Sequence, residues 1–206
     1  NKAIGDGVVG VNSRRKHKIN KTINQENLSF QEERRTYLLY GVIVLFTILL
    51  YGNTIFNDYA LDDSIVITLN SYTQKGLDGI RDIFLYDSFK GFDEGYLNSV
   101  AGGRYRPLSI ASFAVEKQFF GNNPHISHMI NMILYSISCV LVYIVLKRCF
   151  PNDKNKTKWY NSIPFIATML FAAHPIHTEV VANIKSRDEI LSFLFSFLTM
   201  FLIFNH

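Results

Sequence analysis

At 206 residues the chain is long enough for a soluble domain with a sizeable core, but its 48% apolar content, with 17 Phe and 11 Tyr, gathers in long uncharged runs, which excludes that class. The net charge of +4 is unevenly placed: residues 1–35 hold eight Lys/Arg against four acids, residues 147–158 five against one, and residues 56–127 six against nine. Basic flanks beside apolar runs are a topology signal, which excludes a nucleic-acid partner as their reading. Cys139 and Cys149 offer neither a disulfide framework nor metal-ligand spacing.

The expected fold class is therefore an all-α integral membrane protein. Residues 1–35, with the cluster Arg14-Arg15-Lys16-His17-Lys18, read as a basic cytoplasmic tail. Asn1 in place of Met, and a last apolar run that reaches Asn205-His206, lead us to expect the N-terminal part of a longer polypeptide. The first span covers about 36–56, long enough for a hydrocarbon core of roughly 30 Å, and Arg34-Arg35 put its start in the cytoplasm. Residues 57–127 follow as an external loop too long for a plain connector. Within it Pro107 suits the first turn of a helix and Gly121 its end. Leu108, Ala111, Ser112, Val115 and Phe119 share one face of that helix, with Glu116 and Lys117 off it, as in a helix lying along a membrane surface.

A second span, 128–146, runs back to Lys147-Arg148 and a short basic cytoplasmic loop, 150–158, with Trp159 and Tyr160 as interface anchors. The third, 161–173, is apolar only from Ile163 to Ala173, well under the roughly 17–25 residues that cross a bilayer. Pro175 is expected to end or kink it, leaving His174 and Glu179 to face a polar cavity. A polar outer turn, 174–189, leads to a fourth span at 190–206.

Three polar groups on the outer side invite chemistry. Asp62 and Asp63 follow span one, and one of two adjacent carboxylates can serve as a base while its neighbour is paired; the plainer reading is a cap for Ser64-Ile65-Val66. Arg104 and Arg106 suit a phosphate, or equally a lipid headgroup. His174, His177 and Glu179 read as metal ligands only against the interruption by Pro175. His125, His128 and Asn131 lead into span two on the same side.

Taken in order, FNDYALDDSIVITLN (56–70), GRYRPLSIASFAVEKQFFGNNPHISHMINMILY (103–135) and FAAHPIHTEVVANIKSRDEI (171–190) resemble the multi-spanning C-type glycosyltransferases. They are most similar to the transmembrane and tetratricopeptide-repeat O-mannosyltransferases and their bacterial relatives, and more distantly to the protein O-mannosyltransferases. The resemblance implies a GT-C-like helical bundle with surface helices in its outer loop, further spans and repeats downstream, and a bacterial inner-membrane or endoplasmic-reticulum location. It implies inverting transfer of a sugar from a polyprenyl phosphate to a hydroxyl of a protein or a glycolipid. No cofactor is required, although a divalent metal is compatible. Carried over by motif, Asp62 or Asp63 is the catalytic base and Arg104 and Arg106 lie near the donor phosphate. His128, Asn131, His174, His177, Glu179, Arg187 and Asp188 line the same outer cavity. The reading from another class is a membrane scaffold whose spans anchor a repeat array and whose acidic loop docks a partner.

Overall fold

The structure, a computed structural model, describes residue 25 and residues 30–60, 62–88, 90–92, 105–150 and 159–205. Arg104, most of the basic tail and the loop at 151–158 lie outside the described residues. The chain forms two compact units, Asn1–Val42 and Ile43–His206. Among the described residues all regular structure is helical.

The first long helix, α1, covers residues 30–51 and runs into a 3-10 turn, Gly52–Phe56. In the first unit its Tyr37 and Tyr40 rings meet edge to face at 6.2 Å. Among the described residues three stretches are long and apolar enough to cross a membrane: Phe30–Phe56, Pro124–Cys149 and Ile184–Asn205. Each is extended towards the N-terminus relative to the expected span.

The long loop between the first two apolar stretches is itself folded. It carries α2 (Asp63–Val66), α3 (Ser71–Gln74), α4 (Ile80–Leu85) and α5 (Pro107–Phe120). Asn70 holds the first part together: its carbonyl oxygen accepts from the N–H groups of Tyr72 and Thr73, and its amide donates to Ile65 O at 3.2 Å and Ser88 O at 2.9 Å. A fully buried amide that makes four bonds fixes where the chain turns. α5 begins with Pro107 in its first turn and ends at Gly121, whose φ of 70° suits a residue without a Cβ.

The apolar stripe of α5, expected to lie along a membrane surface, is not its packed face. Ser109, Ile110, Phe113, Ala114 and Glu116 are buried, whereas Leu108, Val115 and Phe119 are exposed. Phe113 joins Val66, Ile67 and Ile184 in one core cluster, and Ile110 and Ala114 join Ile83 in another. The apolar stripe of the sequence is thus left for the surroundings, and a mixed face that includes a carboxylate turns inward.

α6 (Pro124–Cys149) starts four residues before the expected span because Asn123 caps it, accepting from His125 N, and Pro124 occupies the first turn. α7 (Ile163–Ala172) is only ten residues long. Its end is closed from the side: the hydroxyls of Tyr51 and Tyr135 donate to Ala172 O at 3.0 and 3.2 Å. After Pro175 come α8 (His177–Ala182), a 3-10 turn at Ile184–Ser186, and α9 (Arg187–Asn205), which packs along α6.

Candidate functional site

The two adjacent aspartates have opposite environments. Asp63 is fully buried and caps nothing; its Oδ2 accepts from Ala60 N and its Oδ1 from Lys185 N, each at 2.8 Å. Burial pushes its carboxyl above the usual aspartate value of 3.8, and the two N–H donors pull it back. This side chain ties the loop after α1 to the turn before α9. Asp62 has no side-chain bond to the helix it precedes and is 57% exposed at its side chain, where Lys185 Nζ donates to its Oδ2 at 2.8 Å. Lys185 therefore meets both acids, one through its backbone and one through its ammonium.

Two residues along, Arg187 is fully buried and all its N–H groups are engaged. Nε donates to Asn131 Oδ1 at 2.7 Å, Nη1 to Ser112 Oγ and Glu116 Oε1, and Nη2 to Ser127 O and Glu116 Oε2. Its guanidinium also lies over the Phe113 ring at 4.2 Å. Asn131 completes the arrangement by donating to Asn183 O and Ile184 O. α5, α6 and α9 meet on this one cation, so Arg187 and Asn131 hold helices and present no free polar group to a cavity.

Arg106 precedes α5, 43% exposed at its side chain, and forms an ion pair with Asp188. Its backbone N–H reaches Ser88 Oγ at 3.3 Å. Arg106 and Asp188 stand at a groove of about 490 Å³ whose far wall is Leu191, Phe195 and Thr199 of α9. On the other side they share a cavity of about 20 Å³ with Lys185, Ser88 and Ser109. Arg106 and Asp188 thus line both the groove, whose α9 side mixes Leu191 and Phe195 with Ser192, Ser196 and Thr199, and the small cavity that Lys185 also lines.

The remaining candidates are dispersed. His174 and Glu179 are exposed and line neither of these cavities. The polar cavity expected at this turn is instead a mostly apolar recess of about 250 Å³ lined by His177, Glu189, Tyr135, Phe171 and Phe193. Burial, with His174 as a lesser cause, pushes the His177 imidazole below its usual value. Among the described residues no three His, Cys, Asp or Glu side chains converge as metal ligands. His128 is buried beside Asp63, and neither ring nitrogen has a hydrogen-bond partner among the described residues; the Asp58 backbone approaches it without hydrogen-bond geometry.

The chain is 34% identical to the protein O-mannosyl-transferase TMTC1 of Mus musculus over 155 residues, 73% of this chain and 15% of that protein. It is 34% identical to TMTC1 of Homo sapiens over 158 residues, 76% of this chain and 17% of the relative. By sequence, it is similar to the TMTC protein O-mannosyl-transferases. A protein O-mannosyl-transferase of Caenorhabditis elegans, F38B6.6, is 28% identical over 188 residues, 90% of this chain and 26% of that protein. The chain thus spans about a quarter or less of the length of these relatives. No protein-family model and no solved structure matches it.

Two side chains at this site, Lys185 and Glu116, were not among the candidates that the sequence singled out. Lys185 stands in the quoted motif KSRDE, yet only its proximity in space to Asp62 singles it out. Glu116 reads as a solvent-facing acid on an amphipathic helix, and its partner Arg187 is 71 residues away. A carboxylate one turn from the apolar Phe113 is the local sign of it.

Proposed function

We propose that this segment forms part of the donor site of an integral-membrane glycosyltransferase, which moves a sugar from a polyprenyl phosphate to a protein hydroxyl on the outer face. The observation that carries the reading is the groove headed by Arg106, where Leu191 and Phe195 of α9 alternate with Ser192, Ser196 and Thr199, together with the exposed Asp62 held by Lys185. A polyprenyl phosphate has that polarity: an anionic head for Arg106 and Lys185, and a hydrocarbon tail for Leu191 and Phe195. The names of the relatives support a sugar transfer to protein.

Asp62 is the base in this reading, because a general base must be reached by its substrate and Asp63 is sealed. Asp62 takes the proton of the acceptor hydroxyl as that oxygen bonds to the anomeric carbon. The bond from that carbon to the phosphate oxygen breaks on the opposite face, its electron pair leaves with the lipid phosphate, and the configuration inverts. Arg106 and Lys185 meet the charge that develops on the leaving group; two cations can do this without a metal. The excess of Lys/Arg before α1 and after α6 supports a cytoplasmic N-terminus and an external site.

In the full-length protein, with a polyprenyl-phosphate mannose and a Ser/Thr peptide, Asp62→Asn should lower turnover by about 10²–10⁴-fold with the donor still bound. Arg106→Ala should instead weaken donor binding. Turnover by Asp62→Asn at the parent rate would remove the base from this site and favour the scaffold reading.

A further inference from the structure

The same four charges carry a second inference, which rests on that reading of the site. In the structure both cations are already paired, Lys185 with Asp62 and Arg106 with Asp188, while both line one small cavity beside Ser88. The base of the proposed reaction is therefore tied by an ammonium at 2.8 Å. A carboxylate so held is a poor proton acceptor, since the cation favours its charged form.

Lys185 is built to let go without disturbing the fold. Its backbone N–H is pinned to Asp63 Oδ1 and Asn183 Oδ1, inside a 3-10 turn whose Ile184 is fully buried. Only the side chain is free to move, and its side chain is 20% exposed. Four methylenes ending in a point charge can swing between neighbouring anions, which the planar fork of an arginine does less readily. The phosphodiester of a lipid-linked sugar arriving in the groove offers that ammonium a second anion to share with the carboxylate, and the charge that grows on the leaving phosphate strengthens that claim.

We propose that Lys185 is a positioning residue that holds Asp62 until the donor phosphate draws its ammonium away, so that the base is released only when donor is in place. The device orders the reaction: lipid-linked sugar first, acceptor hydroxyl second. It also explains why one residue touches both aspartates, with Asp63 fixing the backbone from which the ammonium reaches Asp62.

Carboxyl labelling tests this without turnover. Carbodiimide attacks the protonated carboxyl, which a neighbouring ammonium disfavours by about tenfold or more. The full-length protein in nanodiscs is labelled with carbodiimide and an amine, with and without dolichyl phosphate, and Asp62 is followed by peptide mass spectrometry. Asp58, four residues earlier and exposed, serves as the internal control. Dolichyl phosphate should raise Asp62 labelling about tenfold relative to Asp58, and Lys185→Gln should raise it without lipid and abolish the response. Retention of radiolabelled dolichyl phosphate is measured in parallel. Bound lipid with unchanged Asp62 labelling would overturn the release of the base and leave the donor site standing. Absence of bound lipid would overturn both.

Discussion

Asp63 shows how little a residue's identity says about its work until its neighbours are known. Its position beside Asp62 makes the two interchangeable in the sequence, and the bonds to Ala60 N and Lys185 N separate them. Two effects of opposite sign meet on this side chain: burial disfavours its charge and two backbone donors favour it, and burial is the larger. The folded protein then holds this proton to higher pH than the unfolded chain does. The stability from this group is greatest below pH 3.8 and is lost as pH rises through the raised value. Melting temperatures of the parent and Asp63→Asn across pH 3–7 should therefore differ most in the parent's favour at the acid end. A difference that widens towards neutral pH would mean that the donors win and the carboxylate is held charged.

Among the elements, α5 is the one whose limits are plainest in the sequence and whose orientation is least so. Pro107 and Gly121 mark its ends by chain stereochemistry alone, which acts locally and is read locally. Which face turns inward depends on Glu116 finding Arg187 on α9 and Ser127 on α6, and no spacing within α5 encodes partners on other helices. The short helices α2–α4 were illegible for the same reason, since Asn70 and Thr73 hold them through bonds to Ile65, Val66 and Ser88. At the candidate site, the residue types and their outer-side grouping were legible, but not the division between exposed Asp62 and buried Asp63. Because the Glu116–Arg187 pair is buried, removing one partner leaves the other charged and alone. Arg187→Met should cost about 3–5 kcal/mol of stability, and the double variant Glu116→Leu/Arg187→Met should recover much of it. Chemical or thermal unfolding of the solubilised protein measures both; equal losses in the single and double variants would mean that the cation's other contacts dominate.

For the whole molecule, three of the four expected spans are long enough to cross, and their limits shift: Asn123 caps α6 four residues before the expected start, and the helix runs on to Cys149. The proposed topology makes a prediction from a native thiol. Cys149 is exposed at the end of α6 beside Lys147 and Arg148, whereas Cys139 is buried. In intact cells an impermeant maleimide should label Ser71→Cys and leave Cys149 untouched, with Cys149 reacting once the membrane is opened. Labelling of Cys149 without Ser71→Cys in sealed cells would invert the orientation and place Asp62 on the cytoplasmic side.

The ten residues of α7 rise only about 15 Å, roughly half of a hydrocarbon layer. Ordinary spans end where water begins, so bilayer thickness decides their tilt and their depth. α7 ends where two phenols from neighbouring helices reach Ala172 O. Its stop is written into the protein, and the polar turn that follows keeps its depth whether the surrounding lipids are thin or thick. A bundle built this way is able to serve in membranes of different sterol content without retuning the distance between its outer turn and its neighbours.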